Sequence, residues 1–187
     1  MKPSGQATIL RGAEILNLQD RYVVPVSALN DFVRALRRRL PLARKVLNIC
    51  FVDDRAIRHL NLAYRGKDSA TDVLSFPWNP PGLAAAPLYP GQRGLANFLG
   101  DVVISVEAAR RNAAAEGHST LHEIRWLILH GVLHLLGYDH EVDHGEMLTL
   151  ELALRKQLGI EGGAGRVGPV TRLRTGAKAR KARPSRP

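Results

Sequence analysis

The segment from His130 to His140, His-Gly-Val-Leu-His-Leu-Leu-Gly-Tyr-Asp-His, restricts this chain more than any other. His130 and His134 are four residues apart, so on a helix they lie one above the other on the same face. Val132, Leu133, Leu135 and Leu136 place that helix in a core, where an unpaired imidazole costs roughly 1–3 kcal/mol. Gly137 is the residue type that most easily adopts the left-handed conformation ending a helix, which turns the chain and brings His140 back toward the first two. One metal ion held by all three imidazoles removes the penalty. It also keeps one tetrahedral position open, as catalytic zinc sites do and structural sites, closed by four ligands, do not.

These eleven residues resemble, without a gap, the histidine signature of the YbeY-type endoribonucleases of bacteria, which are zinc-dependent and specific for single strands. Three further stretches resemble that family in the same order: Leu60-Asn61 through Tyr64-Arg65-Gly66-Lys67-Asp68, then Thr71 to Pro77, then Leu99 to Ile104. Met147 and Glu151 fit its closing helix. The resemblance runs from about residue 46 to 158, and the first 45 residues match only in pattern. It implies one zinc ion as cofactor, single-stranded RNA and ribosomal RNA as substrate, and the small ribosomal subunit as partner. The implied roles are maturation of the 3′ end of small-subunit rRNA and ribosome quality control.

A chain of 187 residues with 45% hydrophobic content suits one domain with a single core. The lone cysteine, Cys50, excludes an intrachain disulfide and a multi-cysteine zinc site. Its neighbours Asn48-Ile49 and Phe51-Val52 read as a buried strand, so an inert thiol is expected and no disulfide-linked partner. No apolar run of signal-peptide length follows Met1, and the longest apolar stretch, Trp126 to Leu136, is too short to span a bilayer. A cytoplasmic protein with no membrane partner is expected.

Of the formal net charge of +10, +7 falls in residues 161–187, where eight arginines and lysines face the single acid Glu161; the first 160 residues carry +3. That tail is rich in Gly, Ala, Arg, Lys and Pro, has little to bury, and is expected to be disordered. On an RNA enzyme it would raise affinity without sequence preference. The expected organisation is a flexible N-terminus over 1–8, a metal-dependent hydrolase domain over 9–160 and a basic tail over 161–187.

Periodicity predicts an α+β fold, a small mixed sheet packed with helices, with the metal site at the end of a core helix. Glu14 to Gln19 alternates as an early strand, Ser27 is placed to cap a helix running to Arg39, and Pro41 stops it. Strands follow at Val46–Val52, Val73–Phe76 and Leu99–Ser105. Further helices are predicted after Asp53 or Asp54 as far as Gly66, over Val106–Glu116, over Ser119–Leu136 with Ser119 and Glu123 as a capping box, and over Asp143–Leu158. The proline- and glycine-rich stretch 77–97 reads as a loop, either a flap over the site or a surface insertion.

An open three-histidine site most naturally supports hydrolysis, because zinc lowers the pKa of its water to about 7 and polarises a phosphoryl oxygen. A guanidinium nearby would stabilise the extra negative charge of a phosphodiester transition state. Arg65 is the candidate: its planar fork binds phosphate oxygens bidentately, and it lies in the stretch that resembles the family's arginine motif. Without that resemblance, an arginine closing a helix is a partner for the C-terminal dipole. Asp139, next to His140, would orient a ligand imidazole or assist proton transfer; Glu123, two turns before His130, would support the ligands from behind. Thr71, Asp72 and Ser75 are candidates for lining the substrate cleft or bonding the strand edge, and His144 for a substitute ligand. Two rivals stay open. A zinc peptidase of the HExxH type needs glutamate after the first histidine, where this chain has Gly131. A non-catalytic zinc-containing RNA-binding module is disfavoured by three ligands in place of four and by 5% aromatic residues. Nickel, cobalt or copper would suit the same ligands.

Overall fold

The computed structural model describes residues 8–10, 13–42, 44–78, 97–140 and 142–161. The expectations for the N-terminus before Thr8, for most of the loop 77–97 and for the basic tail lie outside these residues. Five strands, β1 (Thr8–Leu10), β2 (Ala13–Asn17), β3 (Val46–Val52), β4 (Val73–Pro77) and β5 (Phe98–Ser105), form one sheet in the order β1-β2-β3-β5-β4. β2, β3 and β5 run parallel, while β1 and β4 are antiparallel at the two edges. The mixed sheet of the sequence reading is present, with β1 as an addition; a three-residue strand is too short to carry a pattern.

Alternation along the strands sends side chains to two faces, and different helices cover each. Ile49, Phe51, Val73, Val102 and Ile104 join the large core under α1 (Val26–Arg37), α4 (Thr120–Leu135) and α5 (Glu146–Leu158). Val52, Leu74 and Val103, with Cys50 and Phe76, form a smaller cluster under α2 (Asp54–Arg65), which contributes Ile57 and Leu60. α3 (Val106–Glu116) follows β5 directly, capped by Ser105, whose Oγ accepts from Ala108 N at 3.1 Å.

Two capping expectations are corrected. α1 begins after Pro25 with no side-chain cap, so Ser27 is already inside the helix. Ser119 does cap α4, accepting from His122 N, but Glu123 lies one position beyond the capping-box site and its carboxylate faces His118 Nε2 at 3.2 Å. Asp53 caps α2 through Ala56 N, and Gly66 closes it at φ +68°.

Candidate metal centre

α4 carries His130 and His134 into the core on one face, where both are buried. It ends in a Schellman turn: Gly137 N donates to His134 O at 3.0 Å and Tyr138 N to Leu133 O at 3.1 Å, with Gly137 at φ +102°. The chain then doubles back through Asp139, whose carbonyl accepts from Val142 N and Asp143 N. This turn delivers His140. The three rings stand 4.8, 5.4 and 5.2 Å apart between centroids, and their ligand atoms lie within 4.8 Å of one another.

Hydrogen bonds at the back of the rings decide what the front can do. His134 Nδ1 lies 3.0 Å from the carbonyl of Tyr138, and His130 Nδ1 lies 2.7 Å from Glu151 Oε2. Both partners accept, so each Nδ1 is placed to donate, and in the neutral form of the ring that tautomer turns a bare Nε2 lone pair forward. Those two Nε2 atoms face each other at 3.0 Å. Two lone pairs at that distance repel unless a cation lies between them, and nitrogens around a tetrahedral ion sit roughly 3.4 Å apart given bonds of about 2.0–2.1 Å. His140 adds a buried Nδ1 without a hydrogen-bond partner. The cluster can hold a metal ion.

Glu151, on α5, was legible only as part of a closing helix; here it is 5% exposed and part of the centre. Burial pushes its carboxyl up, but its pairing with His130, then the hydrogen bond from Trp126 and the charge of Arg155, outweigh that and hold it below the usual carboxylate range. The available signal was a glutamate four residues after Met147 and three before Leu154, on the apolar face of a helix, where an acid needs partners.

The other candidates are placed as follows. Ser75 is buried, and its Oγ donates to Gly131 O at 3.1 Å, tying β4 to α4. Asp72 accepts from Val73 N and Thr71 Oγ1 on one oxygen and from Asn112 Nδ2 on the other, which ties the start of β4 to α3. Glu123 is buried beside His118 at the start of α4. Asp139 is half-buried on the turn before His140, and His144 is exposed and outside the cluster. Arg65, the last residue of α2, is not on the face of the sheet that carries α4. The stacking of Tyr64 on Phe76, centroids 5.2 Å apart, puts that end of α2 beside β4 on the opposite face. β4 is the outer strand of the sheet among the described residues, and α4 is tied to it through Ser75 and Gly131.

No helix among the described residues is long and apolar enough to cross a membrane. A solution structure of TM1509 from Thermotoga maritima has a similar fold, with a TM-score of 0.53 at 21% identity over 78% of this chain and 88% of that one. Two relatives are named Endoribonuclease YbeY. The protein of Nautilia profundicola is 42% identical over 139 residues, covering 74% of this chain and 86% of its own. That of Solibacter usitatus is 41% identical over 136 residues, covering 73% and 81%. The family model described as Endoribonuclease YbeY matches residues 15–159, from β2 to the end of α5, and the chain belongs to that family.

Proposed function

We propose that this chain is a zinc-dependent endoribonuclease that cleaves single-stranded RNA in the cytoplasm, with ribosomal RNA of the small subunit as substrate for 3′-end maturation and quality control. The convergence of three imidazoles with two Nε2 lone pairs already turned inward carries the reading. The relatives' shared name gives the bond class. When bound, the ion supplies Lewis acidity toward a phosphoryl oxygen and an acidified water.

The chain's own residues hold and orient. His130, His134 and His140 bind the ion, with the first two locked in the right tautomer by Glu151 and the Tyr138 carbonyl. A phosphodiester strand bound at the histidines would pass the outer strand β4, and Arg65, at the end of α2 next to the Tyr64 that stacks on Phe76 of β4, is the cation assigned to its phosphate. An extended single strand can follow such an edge, whereas a rigid duplex would stand off it. Arg65 neutralises charge on the phosphate, Asp139 orients the neighbouring His140 or assists proton transfer, and Thr71 and Asp72 shape the start of the edge. The peptidase reading loses its base at Gly131, where an added Cβ would meet Val102 Cγ1 at 2.6 Å.

The test uses labelled single-stranded RNA, duplex RNA and casein, each with and without a chelator, on wild type, His134→Ala and Arg65→Ala. The expected result is cleavage of the single strand alone, abolished by chelation and by His134→Ala. Arg65→Ala should lower it about 10²–10³-fold while zinc stays bound. Cleavage of casein, or RNA binding without cleavage, would overturn the proposal.

A further inference from the structure

We infer that Glu151 is a positioning residue of the metal centre and that Trp126 makes a carboxylate, not an amide, compulsory there. The inference rests on the metal-binding reading above. Glu151 reaches from α5 to two side chains of α4: Oε1 accepts from Trp126 Nε1–H, and Oε2 accepts from His130 Nδ1–H at 2.7 Å. All three residues are at most 7% exposed, so water does not substitute for either bond.

An indole N–H can only donate. His130 must also donate from Nδ1 if its Nε2 is to carry a lone pair toward His134 and His140. Residue 151 therefore stands between two obligate donors and must offer two acceptors. A carboxylate does so. A glutamine offers one carbonyl oxygen and one NH₂ group, and either orientation fails. With NH₂ toward Trp126, donor opposes donor; with NH₂ toward His130, the imidazole proton moves to Nε2 and that nitrogen cannot ligate. Arg155, stacked 5.2 Å over the Trp126 ring with Nη1 4.0 Å from Oε1, keeps the buried carboxylate paired. Glu151 thus acts through His130.

A merely structural role and a positioning role differ in one sharp respect. If Glu151 only packs α5 on α4, adding Trp126→Phe to Glu151→Gln deepens the damage. If it positions His130, removing the indole donor frees the amide to turn its carbonyl to His130 Nδ1–H and restores affinity. Zinc affinity of the full chain, measured by competition with a chromophoric chelator, should fall 10–100-fold in Glu151→Gln. It should recover at least severalfold in Trp126→Phe/Glu151→Gln, and change less than about threefold in Trp126→Phe alone. The visible absorption band of the cobalt(II)-loaded protein reports the same order through ligand geometry, and circular dichroism of each metal-free variant reports folding. Glu151→Asp, which keeps both acceptors, should retain more affinity than Glu151→Ala, and this comparison stands if the glutamine variant does not fold. A wild type that binds no zinc would sink the metal reading itself. A wild type that binds zinc beside an equally tight Glu151→Gln, a double variant weaker than Glu151→Gln, or an aspartate no better than alanine would each overturn the inference.

Discussion

Replacing Gly131 by alanine tests whether the metal helix is seated on the sheet by contact with a bare backbone. Gly131 sits between the two core histidines, and a Cβ there would meet Val102 Cγ1 at 2.6 Å, Val102 Cγ2 at 3.1 Å and Ser75 Oγ at 3.1 Å. Val102 is fully buried on β5 and β-branched, so its methyl groups cannot swing clear. α4 must lift instead. Overpacking of this kind costs about 1–3 kcal/mol. Stretching the bond from Ser75 Oγ to Gly131 O adds roughly 0.5–1.5 kcal/mol, and the better helix propensity of alanine returns about 1 kcal/mol. Net destabilisation of roughly 0.5–3.5 kcal/mol is expected in urea unfolding of the metal-free chain. Zinc affinity should also weaken, because His130 moves with the helix relative to Glu151 on α5, which holds its Nδ1. Val102→Ala removes both offending methyls, so the double variant should be more stable than the sum of the single losses predicts, by about 1 kcal/mol or more. Gly131→Ala that stabilises by about 1 kcal/mol, as an ordinary helix interior would, or strict additivity with Val102→Ala, would refute the close-approach argument.

Three further outcomes are expected. Gly137→Ala places a side chain at φ +102°, costs about 1–3 kcal/mol and loosens the return of His140; zinc affinity should drop while helical circular dichroism is retained, and an unchanged affinity would contradict the role of the turn. Burial pushes the Asp54 carboxyl up, but Arg111 and Ser105 outweigh it and hold it below its usual value, so its stabilisation is present above the unfolded pKa near 3.9 and lost as pH falls through the folded value. Urea midpoints from pH 6 to pH 2 should therefore fall less steeply in Asp54→Asn than in wild type, and parallel curves would discard the argument. Burial, with the charges of Asp101 and Glu14, pushes the Cys50 thiol up to about 11, so iodoacetamide at pH 8 should label it far more slowly in the native chain than in urea; equal rates would show a reactive thiol.

The order of elements was legible because each carries its own local signal: Asp53 and Gly66 bracket α2, Ser119 opens α4, and Gly137 closes it. The three histidines were legible for the same reason, since their spacing is a property of eleven consecutive residues. What could not be read is whatever depends on which face of the sheet a helix covers. Glu151 joins His130 across 21 residues, and only the packing of α5 on α4 turns its place on an apolar helix face into a bond. Gly131 read as an absent peptidase glutamate, yet its reason lies in Val102, 29 positions away in sequence, and any side chain there would unseat the helix whatever chemistry it carried. Arg65 illustrates the converse. Its motif belongs to the same family signature as the histidines, but alternation along β4 sends Ser75 to α4 and Phe76 to α2, so the signature is split across the two faces of one strand.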